Sequence, residues 1–224
     1  FPTKEDYSPK MKTAEFYKRI KPIIDAAVGL FDEVGFGSVD LSDILERAQV
    51  SKGAFYYHFP TKESVAGAII DTAEAEFTNA MVGILSSAPA LENLIRSTFV
   101  AASMHERDQL NRVADQLRQS LSQVSGTGAA TYRQRKKVVF DVLADAVRRG
   151  IADGDINDDV DADQVAHALW AFTLGNHILA DAIGEDIFVG LTDAWQLLLR
   201  AIATPEAAGY FQQFVARMSQ QHIR

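Results

Sequence analysis

The residues best suited to chemistry lie in one run, Ser51-Lys52-Gly53-Ala54-Phe55-Tyr56-Tyr57-His58-Phe59-Pro60-Thr61-Lys62. It holds two lysines, adjacent tyrosines and a histidine, and no acid. Such a set suits a polyanion: tyrosine and serine hydroxyls donate to phosphate oxygens, ammonium groups neutralise them, and a glycine lets a foreign backbone approach closely. Catalytic chemistry has no comparable constellation. We find no nucleophile with a matching base and no phosphate-binding glycine pattern. His167 and His177 are ten residues apart, which on a helix separates them by about 15 Å along the axis, too far for one metal. The loop Asp153-Gly154-Asp155-x-Asn157-Asp158-Asp159 imitates the start of a calcium loop, but its glycine is misplaced and no glutamate closes it. It reads as an acidic turn that caps the next helix. No catalytic residue, metal site or cofactor is expected, and the chain is read as a non-enzyme.

Two short elements must position that run. Leu41, Ile44, Leu45 and Ala48 repeat at helical spacing behind Asp40, a candidate N-cap. A second short helix starts near Ser51, with Phe55 and Phe59 four apart on its inner side. Lys52, Tyr56 and much of Tyr57 and His58 then face outward. This is a helix-turn-helix pattern, whose second helix is normally laid in the major groove. An ordinary helical hairpin whose tyrosines cover a core edge is the alternative. Upstream, a helix over 21–33 buries Ile23, Ala26, Ala27, Leu30, Phe31 and Val34. Pro22 sits in its first turn, and 13–20 forms a separate short helix or an offset extension.

The words match as well as the pattern. Ala26-Ala27-x-x-Leu30-Phe31-x-x-x-Gly35-Phe36, followed by Leu41-x-x-Ile44-x-x-x-Ala48-x-Val50-Ser51-Lys52-Gly53-x-Phe55-Tyr56-Tyr57-His58-Phe59-x-x-Lys62-Glu63, resembles the DNA-binding domain of TetR-family transcriptional regulators over residues 20–65. The resemblance implies an all-α homodimer: an N-terminal three-helix, helix-turn-helix head and a C-terminal helical domain for effector binding and dimerisation. It implies DNA contacts, mostly to phosphate, at Ser51, Lys52, Gly53, Tyr56, Tyr57, His58 and Lys62, with a phosphate-contacting hydroxyl at Ser38. The partner implied is a palindromic double-stranded operator. In the second half, Asp159-Val160-Asp161-x-Asp163-x-Val165-Ala166-His167 and Trp195-Gln196-x-Leu198-Leu199-x-Ala201-Ile202-Ala203-x-Pro205 resemble the γ-butyrolactone receptor branch.

The expected division is a flexible arm over 1–12, the head over 13–62 and the body over 63–224. In the arm and its continuation, Lys10, Lys12, Lys18, Arg19 and Lys21 form a basic cluster, either a DNA-contacting arm or a solvated tail. The overall charge is −8, but residues 1–62 hold nine Lys/Arg against nine Asp/Glu, while the remainder holds thirteen against twenty-one. Acidity is kept away from the head. There is no apolar run long enough for a membrane span, and the absence of cysteine fits a reducing cytoplasm, the expected location. Beyond the helix-turn-helix the periodicity is helical throughout, at 62–85, 90–104, 107–121, 128–151, 161–183, 187–203 and 205–220. Thr61 is the expected N-cap of the first of these, and Ser86 to Pro89 its stop. The helix at 161–183 is apolar around much of its circumference and must be covered on more than one side. With Trp195, Leu198 and Leu199 it offers a dimer seam. An apolar or amphipathic small-molecule effector is expected among Phe99, Tyr132, Phe140, Trp170 and His177. A repressor released by that effector is the favoured reading; an activator or architectural DNA binder without an effector is the alternative.

Overall fold

The computed structural model describes residues 14–122 and 127–222; the side chains of 14–17, 119, 121, 122, 127–136 and 222 are outside the description. The arm over 1–12, with Lys10 and Lys12, therefore lies outside the described residues. Among those described, the chain forms ten α-helices: α1 (Ala14–Val34), α2 (Leu41–Ala48), α3 (Lys52–His58), α4 (Lys62–Leu85), α5 (Ala90–Arg107), α6 (Gln109–Ser122), α7 (Thr127–Ala152), α8 (Ala162–Ile183), α9 (Ile187–Ile202) and α10 (Pro205–His222). A 3₁₀ turn, Phe36–Ser38, lies between α1 and α2. The extended pairing among the described residues is a single antiparallel bridge between Ile156 and Ala203. The all-α expectation holds.

Among the described residues two compact units emerge, one lying within 1–74 and 109–125 and the other within 75–108 and 126–224. The first unit thus extends past the expected boundary at residue 62 and takes in α6. The reason is packing: Val113, Ala114 and Leu117 of α6 are buried in one cluster with Ile23, Ala27, Phe31, Ile44, Phe55 and Ile69. Gln109 Nε2 also donates to Asp32 Oδ2 at 2.9 Å, and Arg112 lies 3.6 Å from the same carboxylate.

α1 is one continuous helix that carries Pro22 in its interior, not a helix opening at Pro22. Pro22 and Lys18, whose carbonyl loses its partner there, both face solvent, so the carbonyl can be hydrated. Val34, expected in the buried face, is exposed, because the chain leaves the helix at Gly35 with φ 81°. The N-terminus of α2 is closed by Asp43, whose carboxylate accepts from the Asp40 N–H at 2.8 Å. Its C-terminus closes on Gln49, a non-glycine residue with φ 54°; the N–H of Val50 returns to the Leu45 carbonyl at 3.2 Å. α4 opens on a reciprocal box: the Ser64 N–H donates to Thr61 Oγ1 and the Thr61 N–H to Ser64 Oγ, each at 3.2 Å.

The second unit is built from α5 and α7–α10 with the end of α4, around Phe99, Leu143, Leu169, Leu191, Trp195 and Phe211. Trp195 is wholly buried and its indole N–H donates to Thr98 Oγ1 at 2.8 Å, so the polar atom buried with the ring is satisfied. The acidic loop after α7 docks on the α9–α10 connection. There the Asn157 N–H donates to the Ile202 carbonyl at 2.8 Å and the Thr204 N–H to the Asp155 carbonyl at 3.0 Å. Asp161 caps α8 by accepting from the N–H groups of Asp163 and Gln164. No group of three or more metal-ligating side chains occurs among the described residues.

Candidate nucleic-acid interface

α3 is only seven residues long, so its orientation depends on what holds its two ends and its inner side. Ser51 is its N-cap: Oγ accepts the Ala54 N–H at 3.2 Å, which leaves the hydroxyl proton free to donate elsewhere. Phe55 is wholly buried and Phe59 nearly so, with ring centroids 5.9 Å apart. These anchors turn the opposite side outward: Tyr56 is 46% exposed and Tyr57 79%. Lys52, Gly53 and Ala54 are also exposed. The Lys52 ammonium lies 6.0 Å from the Tyr56 ring centroid, which places a cation beside a phenol on one face.

Gly53 is informative by what surrounds it. A Cβ built there would meet nothing within 4 Å, so the head does not itself require a glycine. A bare flank on an outward helix leaves space for an external backbone. Ser38, at the end of the 3₁₀ turn, is exposed as well. His58 is half-buried, less outward than expected, with its ring edge-on to Tyr57 at 4.9 Å. Burial, and then the charge of Arg19, hold its pKa below the ordinary imidazole value.

Lys62, implied as a DNA contact by the resemblance, directs its ammonium to the backbone of the head. Its ammonium donates to the carbonyls of Phe36 at 2.8 Å and Val39 at 2.7 Å and lies 4.5 Å from the Phe36 ring centroid. Two further residues shape the site without having been anticipated. Arg47 grips Glu33 in a two-point pair, Nη1 to Oε1 at 2.6 Å and Nη2 to Oε2 at 2.9 Å. That hydrogen bond holds Glu33 below the usual carboxylate range and raises Arg47. Gln49 supplies the left-handed residue of the turn. An (i, i+14) pair and a glutamine in a glycine-like conformation leave no periodic trace in the sequence.

Residues 23–69 match the model for bacterial regulatory proteins of the tetR family, and residues 88–204 match that for the tetracyclin repressor-like C-terminal domain. The chain belongs to the TetR family. As a TetR-type DNA-binding transcriptional regulator it is not an enzyme, and α2 and α3 are its helix-turn-helix. Over 68 residues it is 44% identical to the A-factor receptor protein of Streptomyces griseus, a match that covers 30% of this chain and a quarter of that relative. A crystal structure of a γ-butyrolactone receptor, an ArpA-like protein, is 25% identical, with a TM-score of 0.71 over 91% of this chain and 98% of that one. CprB from Streptomyces coelicolor, in complex with its biological operator sequence, is 25% identical, with a TM-score of 0.64 over the same shares.

The five effector candidates of this TetR-family chain are placed less uniformly. Phe99 is wholly buried and stacked on Phe188, centroids 6.3 Å apart, and so serves the core. Phe140 and Trp170 are half-buried against that core, Phe140 edge-on to His167 at 6.4 Å. His177 stacks on His105 with centroids 4.6 Å apart and planes within 6°, and His105 Nε2 lies 3.0 Å from Asp181 Oδ1. His105 and Asp181 were not anticipated: one is on α5, 72 positions from His177, and the other reads as a surface acid. Tyr132 lies in α7, but its side chain is outside the described residues.

Proposed function

We propose that the chain is a homodimeric repressor that binds a palindromic operator through α3 and is released by an apolar or amphipathic small molecule. The observation that carries the reading is the face of α3, with Lys52, Gly53, Tyr56 and Tyr57 outward and Phe55 and Phe59 inward. Ser38 and Ser51 add hydroxyls, and His58 a half-buried imidazole at the edge of that face. Two copies would set their α3 helices in successive major grooves, about 34–36 Å apart. The operator complex of CprB supports this use of the head.

The dimer reading rests on α8 and α9. Leu174, Ile178, Leu179 and Ile183 on the one, and Val189 and Leu197 on the other, are large apolar side chains left exposed in the single chain. Exposed apolar side chains gathered on two helices that pack together favour an interaction site. The effector reading rests on the aromatic and histidine side chains of the second unit, chiefly Phe140, Trp170 and His177, with Tyr132 kept as a candidate. The A-factor receptor and the γ-butyrolactone receptor structure support a small-molecule ligand. For release, the effector must bind the free form more tightly than the DNA-bound form, with a coupling of about 1–3 kcal/mol.

The test is a set of binding titrations on one operator fragment. Tyr56→Ala and Lys52→Ala should each weaken binding about five- to tenfold while sedimentation still shows a dimer, and Trp170→Ala should alter effector response alone. Unchanged affinity in both α3 variants would overturn the assignment of α3 as the DNA surface.

A further inference from the structure

Lys62 stands at the start of α4, and both atoms that accept from its ammonium belong to the connection between α1 and α2. The carbonyls of Phe36 and Val39 flank Ser38, so the lysine bridges the backbone on either side of the one exposed hydroxyl of that turn. The Phe36 ring lies under the ammonium and is itself edge-on to the buried Phe31 at 5.2 Å. Val39 is buried beside it. Two of the three ammonium donors are therefore satisfied inside the head, over an aromatic face that favours the cation.

We propose that Lys62 is a positioning residue: an internal strut that holds Ser38 and the entry to α2 against the start of α4, rather than a phosphate ligand. The proposal rests on the reading of the head as a DNA-binding surface and adds a division of labour within it. Ser38 meets the phosphate and Lys62 fixes Ser38. The ammonium matters because its three donors radiate from one atom, whereas a guanidinium presents a larger planar fork, so Lys62→Arg changes the geometry of both bonds and of the contact with the Phe36 ring. Any movement of the start of α4 relative to the turn would break these bonds, so the position of Ser38 is tied to the helix that follows α3.

The experiment uses the full chain with Lys62→Met, Lys62→Arg and Ser38→Ala, singly and with Lys62→Met and Ser38→Ala combined. In the free protein, hydrogen exchange at the Ser38 and Asp40 amides should accelerate in both Lys62 variants and stay unchanged in Ser38→Ala. On DNA, Lys62→Met should weaken binding by about tenfold or more, as for the loss of two charge-assisted bonds, with the slope of log affinity against log salt unchanged. Ser38→Ala should weaken wild type but add little in the Lys62→Met background, the signature of coupled residues. A phosphate contact gives the opposite pattern: Lys62→Arg retains affinity, Lys62→Met lowers the salt slope by about one, and the Ser38→Ala cost persists. That outcome, or unchanged exchange in the turn, overturns the proposal. Absence of DNA binding by wild type would instead contradict the reading of the head, while the exchange result still decides the strut.

Discussion

Gly53 separates what the head needs from what its partner needs. Since an added Cβ meets no neighbour, Gly53→Ala should leave the fold intact and raise stability by about 0.5 kcal/mol through helix propensity. Operator affinity should fall nonetheless, because the methyl occupies the approach path. Thermal melts beside binding isotherms check both halves, and equal affinity would show that nothing approaches that flank. His58 supplies a pH signature. Its folded pKa lies below the ordinary value, so between the two the unfolded chain binds more protons than the folded one. Stability must therefore rise with pH through that window and be lost on acidification below about 6.5. Melts from pH 5 to 8 should show this slope in wild type and a weaker one in His58→Gln. Lys52, Tyr56 and Tyr57 were legible as outward residues because Phe55 and Phe59, four apart, leave only one face to bury. Lys62 was not legible, since its partners are carbonyls 23 and 26 positions upstream and a carbonyl has no sequence identity.

Among the elements, the turn of the helix-turn-helix holds a residue that is not optimal for its conformation. Gln49 adopts φ 54°, where glycine carries no steric penalty. Gln49→Gly should stabilise the head by about 0.5–1 kcal/mol, read from a denaturant midpoint at unchanged slope. A close approach of a loop to a helix imposes the reverse. A Cβ on Gly150 would lie 2.7 Å from Ile156 Cδ1, so Gly150→Ala should cost about 1–3 kcal/mol by overpacking where the loop after α7 folds back. Most helices were readable because their ends carry chemistry: Asp40, Thr61 and Asp161 open helices, and Ser86 to Pro89 close one. The errors lie where such signals compete. Pro22 looked like a first-turn residue but sits inside α1, since Ile20 upstream of it is already part of the buried face. Val34 continues the apolar spacing yet is exposed, because periodicity cannot tell where a helix outruns its core. The core that α6 would join was equally hidden: Leu110, Val113 and Leu117 mark a face but not its destination.

On the scale of the molecule, two cores with separate cluster memberships share one helix, α4, and the chain returns to the first core through α6. The exposed apolar side chains of α8 and α9 are a surface that a second copy would cover. Ile178→Glu combined with Leu197→Glu should therefore convert a dimer into a folded monomer by sedimentation, with helicity retained by circular dichroism. A dimer that survives both charges would place its seam elsewhere. Whether α3 reads DNA is decided by selecting bound fragments from the source genome with wild type and Tyr56→Ala in parallel. Enrichment of a palindrome by wild type, with loss of that enrichment in a dimeric Tyr56→Ala, is the predicted result. An identical set of fragments recovered by both proteins would contradict it.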